Sequence, residues 1–234
     1  SQPAENRPLR VGYLSPDFFR HSCSFFFEPI VRNHSDRIET FCFSAGPKSD
    51  RFTEHLSKLP NHFFNVNQMD DGTLTNFIRE QELDIFVDLA GHTEHNRLAP
   101  ICSRVAPIQM SYLGFPGSTW LPTVDYRLVD WHTDPEGADS QCSEILLRMP
   151  ESFLIYEPLL GAPYIESPPA LEKGQVMFGS FNNPLKLTDR TLDVWAKILK
   201  SVPSSKLSLK AIAFQHEILR NLIVQRFQKR GIDA

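Results

Sequence analysis

The chain has 234 residues, which is enough for one domain and part of a second. A net charge of −4 at pH 7 does not favour a nucleic-acid-binding surface, and 41% hydrophobic residues suffice for a sizeable core. No apolar run reaches the roughly 18 residues of a membrane-spanning helix, and the polar segment 1–10 lacks the apolar core of a signal peptide. We therefore expect neither nucleic acid nor a membrane as a partner.

Strand-like and helix-like patterns alternate along the first two thirds of the chain. Apolar runs rich in β-branched and aromatic residues predict strands, and stretches with apolar residues on one face predict helices. In chain order these are strand 9–14, helix 24–33, strand 39–44, helix 50–59, strand 62–66, helix 71–82, and strands 84–89, 107–113 and 124–129. This alternation predicts an α/β, Rossmann-like fold with a mostly parallel sheet, which binds ligands outside the carboxyl ends of its strands.

A proline-rich segment at 157–174 has no periodicity and is interpreted as a crossover linker. It separates an N-terminal domain at 9–156, preceded by a linker at 1–8, from a second α/β domain at 175–234. The second domain is predicted to contain strand 175–181, helix 188–200, strand 205–211 and helix 215–229. Four elements do not complete a doubly wound sheet, so we expect this second domain to be incomplete.

The segment 176–186 combines a predicted buried strand, an Asn-Asn-Pro turn and a lysine placed just before a helix. Thr188 is a typical helix-capping residue, and Pro184 ends the strand. The helix N-terminus and the ammonium group of Lys186 both attract an anion, so this strand end is a candidate phosphate site. The alternative is a solvated lysine, although the start of a helix is an unfavourable place for a cation.

The loop at 15–21 follows the first predicted strand and carries Asp17 and His21. An imidazole in this position can serve as a general base or can hydrogen-bond a substrate hydroxyl. It can equally be a structural histidine that bonds to the backbone of its own loop.

Two further loops follow predicted strands. The loop at 91–97 offers His92 and Thr93 for hydrogen bonds to a sugar or a peptide, or it is a polar surface loop with a helix cap at Thr93. The loop at 113–119 contains two glycines and Pro116, which would let backbone N–H groups approach a ligand. From these residues alone, a simple turn is the favoured interpretation.

Several common kinds of site find no support in the sequence. The four cysteines form no C-x-x-C pair, so we expect no disulfide framework and a reducing, cytoplasmic compartment. His92 and His95 are three residues apart with no third ligand nearby in sequence, so no metal is expected. The chain has no G-x-G-x-x-G, P-loop or G-x-S-x-G motif, which argues against the common dinucleotide, P-loop and serine-hydrolase sites.

Five motifs occur in a fixed order and carry a family resemblance. They are Leu-Arg-Val-Gly-Tyr-Leu-Ser-Pro-Asp-Phe at 9–18, Asp-Leu-Ala-Gly-His-Thr at 88–93, Ala-Pro-Ile-Gln to Leu-Gly-Phe-Pro-Gly at 106–117, Val-Asp-Tyr-Arg at 124–127 and Phe-Gly-Ser-Phe-Asn-Asn at 178–183. From about residue 7 to its end, the chain resembles the catalytic region of the O-GlcNAc transferase and SPINDLY family of protein O-glycosyltransferases. The first, second and last motifs are more similar to the bacterial and plant SPINDLY branch.

The resemblance implies a two-domain, Rossmann-like glycosyltransferase of the GT-B type that is inverting and needs no metal or other cofactor. The donor would be a nucleotide sugar, UDP-GlcNAc or GDP-fucose, and the acceptor a Ser or Thr hydroxyl of a protein. Tetratricopeptide repeats would precede the catalytic region in the longer protein. The family also uses a later segment of the second domain for the donor, so we expect the 234-residue chain by itself to transfer sugar poorly.

The family motifs also imply roles for individual residues. Phe115 replaces the tyrosine that is usual in the family, and Lys186 would stabilise the negative charge that grows on the leaving diphosphate. The implied residues are His21 and Lys186 for catalysis, Leu113, Gly114, Phe181, Asn182, Asn183 and Lys186 for the donor, and Asp17, His92, Thr93 and Pro116 on the sugar or acceptor side.

Two other functions stay open at this point. One is a non-catalytic scaffold or acceptor-docking domain of the same fold that has lost donor binding. The other is a glycosyltransferase of the same architecture that acts on a lipid or a small glycan, although no basic amphipathic helix for membrane contact is evident. The motifs favour fucose as the donor sugar through their SPINDLY character, but they leave GlcNAc open.

Overall fold

The structure is a computed structural model that describes residues 7–158, 162–164 and 167–233. Its backbone contacts divide the chain into two compact units, residues 1–160 and residues 161–234. Most of the predicted linker at 1–8 and parts of the predicted linker at 157–174 lie outside the described residues. The domain boundaries predicted from the sequence stay a prediction.

The first unit is built on a seven-stranded sheet in the order β3-β2-β1-β4-β5-β6-β7. All of its strand pairs are parallel. The strands are β1 (Leu9–Ser15), β2 (Ile38–Ser44), β3 (His62–Asn65), β4 (Ile85–Asp88), β5 (Ile108–Ser111), β6 (Tyr126–Asp130) and β7 (Ile145–Met149). The sheet confirms the predicted α/β, Rossmann-like fold. Its strand order reverses between β1 and β4, the place where such sheets bind ligands.

Helices connect the first five strands, and the sequence predicted three of these four helices. The helices of the first unit are α1 (Ser22–Arg32), α2 (Arg51–Leu56), α3 (Asp71–Glu80) and α4 (Leu98–Cys102). Side chains of His21, Asp50 and Asp70 cap the N-termini of α1, α2 and α3, each by accepting a backbone N–H of its helix. Helix α2 ends three residues before its predicted end at residue 59.

Both faces of the seven-stranded sheet are packed, as expected for parallel strands. Leu14, Phe43 and Phe86 belong to the core cluster on one face, and Tyr13 and Val87 belong to the cluster on the other. Successive residues of one strand thus point into opposite cores. The loops of the candidate site begin where these packed strands end.

The sequence prediction missed two elements of the first unit. Helix α4 has five residues with Pro100 at its third position, which is too short for a helical period to show. Strand β7 lies at the edge of the sheet with Ile145, Leu147 and Met149 exposed. An edge strand that presents apolar residues to solvent lacks the usual alternation of buried apolar and exposed polar residues.

The second unit contains a parallel pair of strands packed against helices. Its elements are β8 (Met177–Ser180), β9 (Lys206–Leu209), α5 (Pro169–Lys173), α6 (Asp189–Ser201) and α7 (Glu217–Gln228). Short 3-10 helices lie at Pro184–Lys186 and Ile212–Gln215. The core of the unit consists of Leu187, Leu192, Ile223 and Phe227 with neighbouring apolar residues.

The prediction of a buried strand at 176–181 was wrong. Val176 is 43% exposed and Met177 is 49% exposed. Phe178 and its neighbour Leu207 on β9 are more buried and line a pocket with helix α6, whereas alternate positions face outward. Among the described residues only one face of this two-stranded sheet is covered, so β8 is half-buried.

No helix in the described ranges is long and apolar enough to cross a membrane.

Candidate functional site

A cleft of about 240 Å³ lies at the carboxyl ends of the central strands of the first unit. It is formed by the loops that follow β1, β2, β4 and β5, beside the reversal of strand order between β1 and β4. The fold therefore brings together four predicted site residues that are up to 97 positions apart in sequence: Asp17, His21, Thr93 and Gly114. This is the position at which open α/β sheets place their ligands.

His21 caps the N-terminus of helix α1. Its Nδ1 atom accepts the backbone N–H of Cys23 at 3.3 Å, and Nδ1 also lies 3.6 Å from Oδ2 of Asp17. An accepting Nδ1 assigns the proton of the neutral ring to Nε2. The group that His21 offers to a ligand is then an N–H donor, so this geometry favours substrate orientation over proton abstraction.

Asp17 is a half-buried carboxyl group in the wall of the cleft. Burial raises its pKa above the ordinary value, against the opposing charges of His21, His95 and Lys48. Carboxyl groups with a shifted pKa in a cleft are often part of a functional site.

A second buried carboxylate, Asp88 at the end of β4, shapes the loop that contains Thr93. It accepts the backbone N–H groups of Ala90 at 3.2 Å and Gly91 at 2.6 Å. Burial raises the pKa of Asp88 to about 6, although these two hydrogen bonds act to lower it. Gly91 has a left-handed φ of +54°, and a Cβ there would lie 2.4 Å from the Phe115 side chain. The turn therefore requires glycine.

The loop after β5 is held by Glu144, which precedes β7. The carboxylate of Glu144 accepts the Ser118 hydroxyl at 2.6 Å and the Thr119 backbone N–H at 2.7 Å, and it also bonds the Thr119 hydroxyl. Burial acts to raise the pKa of Glu144, but these hydrogen bonds outweigh it and the pKa lies below its ordinary value. The loop is thus held by a buried carboxylate whose two oxygens both accept hydrogen bonds.

His92 joins these two loops to each other. Its Nε2 lies 2.8 Å from the carbonyl oxygen of Thr119, and its ring packs edge-on against Phe115 at 5.2 Å between centroids. The alternative of a helix cap at Thr93 was wrong: the Thr93 hydroxyl donates to the carbonyl of Ala90, and α4 begins at Leu98 with no side-chain cap. The proposed sugar or acceptor contacts of His92 and Thr93 stay predictions.

The remaining predicted residues of the loop after β5 differ in environment. Gly114 lines the cleft, and a Cβ there would lie 2.1 Å from the carbonyl oxygen of Leu89, so the loop passes directly over the end of β4. Leu113 has a left-handed φ of +74° and packs partly into the core, whereas Pro116 is exposed. Of the three, only Gly114 forms part of the cleft wall.

Leu113 and Gly114 were predicted for the donor and lie in the first unit, whereas the other four predicted donor residues lie in the second unit, beyond the carboxyl end of β8. Phe181 and Asn183 line a groove there together with Lys210, whose Nζ lies 5.9 Å from the centroid of the Phe181 ring. Asn182 and Lys186 are exposed beside that groove. The structure thus places all four predicted residues on one loop, and their contacts with a donor stay predictions.

Local hydrogen bonds shape this second loop. The Asn183 side chain accepts the Leu185 backbone N–H at 3.0 Å and opens the 3-10 helix that ends at Lys186. The Thr188 hydroxyl accepts the Thr191 backbone N–H at 3.2 Å and caps α6, as the sequence predicted. Helix α6 therefore begins at Asp189, three residues after Lys186.

Sequence reasoning missed several residues of the cleft in the first unit, among them Lys48, Glu94, His95 and Cys23. Lys48 lies beyond β2 and holds its ammonium group 5.2 Å from the Phe19 ring centroid. His95 adopts a left-handed φ of +60°, which is uncommon for a residue with a side chain. The signal that would have found Lys48 is its position in the loop after a strand adjacent to β1, since carboxyl ends of parallel strands share one edge.

Donor atoms suited to a metal also meet in this cleft. The Asp17 carboxylate, the His21 ring and the Cys23 thiol place ligand atoms within 4.8 Å of one another. From the sequence, only the pair His92 and His95 was considered as a metal-binding pair. In the structure the ring of His92 forms a hydrogen bond with the Thr119 carbonyl.

Comparisons with known proteins agree with the fold. The sequence profile of glycosyl transferase family 41 matches residues 1–160. A protein from Arabidopsis thaliana named as a probable UDP-N-acetylglucosamine–peptide N-acetylglucosaminyltransferase SPINDLY is 37% identical over 97% of this chain and 26% of its own length. The protein of the same name from Solanum lycopersicum is 38% identical over 97% of the chain and 25% of its own length. The chain thus spans about a quarter of these relatives.

A solved structure is similar along the whole chain. The O-GlcNAc transferase of Thermobaculum terrenum, solved as a mutant with methionine in place of a lysine, superposes with a TM-score of 0.91 at 30% identity. The match covers 100% of this chain and 44% of that protein.

Proposed function

Because the chain belongs to glycosyl transferase family 41, we propose that it forms part of the catalytic region of a protein O-glycosyltransferase. The reaction would transfer a sugar from a nucleotide donor to a Ser or Thr hydroxyl. The observation that carries this proposal is the cleft at the strand-order reversal, where three family motifs supply Asp17, Thr93 and Gly114, with His21 in the loop that follows the first of them.

The donor is assigned to the second unit. Lys186 and the N-terminus of α6 both offer positive charge within a few residues, which suits the diphosphate of a nucleotide sugar. Charge builds on that diphosphate as the glycosidic bond breaks, so a fixed ammonium group stabilises the transition state. On this proposal the transfer inverts the anomeric centre and needs no metal.

In the first unit, His21 is proposed to donate a hydrogen bond from Nε2 to the substrate, since its Nδ1 is used by the Cys23 backbone N–H. Asp17, half-buried beside it, would accept from a hydroxyl group in the same cleft. Orientation of this kind raises the transfer rate without a proton step on the ring.

The donor sugar is proposed to be GlcNAc, carried on UDP. The names of the two plant relatives specify UDP-N-acetylglucosamine, and the superposed structure is that of an O-GlcNAc transferase. GDP-fucose is the competing donor. Upstream tetratricopeptide repeats and a cytoplasmic location belong to the same proposal.

The test uses the longer protein from which this region comes, incubated with UDP-GlcNAc or GDP-fucose and a pool of acceptor proteins. Protein mass spectrometry reads the product. A HexNAc shift supports the proposal, and a deoxyhexose shift reassigns the donor. No shift with either donor, and none that distinguishes the Lys186→Met variant, would contradict transfer and favour a docking domain. The 234-residue chain assayed alone is expected to give at most a trace of product.

A further inference from the structure

Three different metal-binding groups meet at the start of α1, and the proposed transfer reaction uses only two of them. The Asp17 carboxylate, the His21 imidazole and the Cys23 thiol lie within 4.8 Å of one another. All three line the cleft of the first unit and are half-buried, so they are accessible to a small ion. They come from a seven-residue stretch that is already ordered as a loop and a helix N-terminus.

Two of the three ligand atoms already have the spacing found in a tetrahedral metal site. Oδ2 of Asp17 and Nδ1 of His21 are 3.6 Å apart, similar to the ~3.4 Å that separates two such ligands around zinc at about 2.1 Å each. The Cys23 thiol lies within 4.8 Å of the other two ligand atoms and has to move closer to them to complete the site. Coordination through Nδ1 would replace a hydrogen bond that is long, at 3.3 Å from the Cys23 nitrogen.

The mixture of donor atoms decides which metal would bind. Calcium and magnesium take oxygen ligands, whereas a thiolate together with an imidazole selects zinc among the common cellular ions. Three protein ligands leave one position for water, as in open zinc sites. Binding would release the thiol proton to solvent and involves no change of oxidation state.

We propose that Asp17, His21 and Cys23 form a zinc site that inhibits the enzyme. The inhibitory part of this proposal rests on the proposed function, because it assumes that the His21 ring contacts the substrate. A zinc ion on this ring would occupy the cleft and withdraw both His21 and Asp17 from hydrogen bonding. Zinc would then act as a reversible inhibitor of transfer, and the reaction itself would still proceed without metal.

The binding test uses the 234-residue chain with Co²⁺ as a spectroscopic substitute for zinc. We expect one Co²⁺ per chain, a thiolate-to-cobalt charge-transfer band in the near ultraviolet, and loss of the band on addition of Zn²⁺. Cys23→Ser should abolish the band and weaken binding by more than the roughly 10–100-fold that loss of an outer-shell group causes. Asp17→Asn, a change that keeps side-chain size, should weaken binding while the band stays.

Cys102→Ser is the matched control, because Cys102 is an exposed thiol that does not line the cleft. It should leave the band and the affinity unchanged. Absence of a charge-transfer band in the unmodified chain would overturn the proposal. So would a band that survives Cys23→Ser, since the metal would then sit on another thiol.

The inhibition test uses the longer protein, with each variant referred to its own metal-free rate. Zn²⁺ should inhibit the unmodified enzyme at concentrations at least ~10-fold below those needed for Cys23→Ser. Equal sensitivity of the two would refute inhibition through this site. If the longer protein shows no transfer at all, the proposed function fails, while the cobalt titration still decides whether the site binds metal.

Discussion

The cleft of the first unit and the groove of the second are held in place in different ways. Long-range bonds fix the loops around the cleft: Glu144 bonds Thr119 in the loop after β5 from 25 residues away, and His92 bonds the same residue from 27 residues away. The groove loop at 181–186 is exposed and shaped by bonds between near neighbours, such as Asn183 with Leu185. The cleft is thus organised by tertiary contacts before any ligand arrives, whereas the groove loop depends on local contacts.

The largest effect is expected from a substitution that tests whether the groove of the second unit takes part in transfer. In the longer protein, Lys186→Met should reduce the transfer rate by at least ~100-fold, because the leaving diphosphate loses a charge partner in the transition state. Thermal stability should not change, since Lys186 is exposed. Steady-state kinetics with a saturating donor measures the effect.

Lys197→Met is the matched control for this experiment, because Lys197 is an exposed lysine within α6 that does not line the groove. Its rate should stay within about twofold of the unmodified enzyme. If Lys186→Met behaved in the same way as Lys197→Met, the groove would have no part in the chemistry.

The next largest effect concerns the pH dependence of stability that the buried carboxyl group of Asp88 is expected to cause. Its folded-state pKa of about 6 lies above the ~3.9 of an unfolded aspartate, so between these values the folded state binds more protons. The contribution of Asp88 to stability is therefore largest below pH 4 and is lost as pH rises through 6. Relative to Asp88→Asn, the unfolding free energy of the unmodified chain should fall by about 2–3 kcal/mol between pH 4 and pH 7.

Urea denaturation of both chains across this pH range measures the difference. The amide that replaces the Asp88 carboxyl group in the variant cannot titrate in this range, so the other titrating groups cancel in the comparison. A difference that does not change with pH would mean that folding leaves the pKa of Asp88 unshifted, with its two backbone hydrogen bonds offsetting burial.

A smaller effect separates the two roles of His21. His21→Asn should keep the cap of α1, because asparagine is a good capping residue, while His21→Ala should lose about 1 kcal/mol of stability. Both variants lack the Nε2 donor, and both should lose roughly 10-fold in transfer rate in the longer protein. If His21→Asn alone recovered the full rate, His21 would act only as a helix cap.

The smallest expected effect concerns Glu144. Glu144→Gln retains one oxygen acceptor but places an amide N–H₂ group near the Ser118 hydroxyl or the Thr119 N–H, so we expect a loss of about 1 kcal/mol in local stability. Hydrogen exchange of peptides that cover residues 118–121 should accelerate, while peptides from β1 should not change. Glu151→Gln, a change at an exposed position, is the control. Equal exchange in both variants would show that the loop does not depend on this carboxylate.

Much of the fold could be predicted because it depends on patterns of apolar and capping residues that are close together in the sequence. The alternation of apolar runs indicated the parallel sheet, and capping residues such as Thr188 marked a helix start. The ends of strands also pointed to loops that the fold does bring together. Functional roles assigned to individual residues stay predictions.

What could not be predicted depends on contacts between distant parts of the chain. Nothing near Glu144 in sequence shows that it reaches Ser118, and nothing near His92 shows that its ring meets the Thr119 carbonyl. Lys48 enters the cleft only because β2 lies next to β1 in the sheet. The exposed strand β8 was misjudged because an apolar run does not reveal how many faces of its sheet are covered.

The close passage of Gly114 over the carbonyl of Leu89 divides the cleft into parts that can and cannot vary. Any side chain at position 114 would push the loop away from β4, so the backbone path there tolerates no substitution. Variation in what the cleft binds then has to come from side chains of its wall such as Phe19, Lys48 and Glu94. For a directed-evolution library, this fixes the glycine as the position to leave unchanged and makes these three positions the ones to randomise.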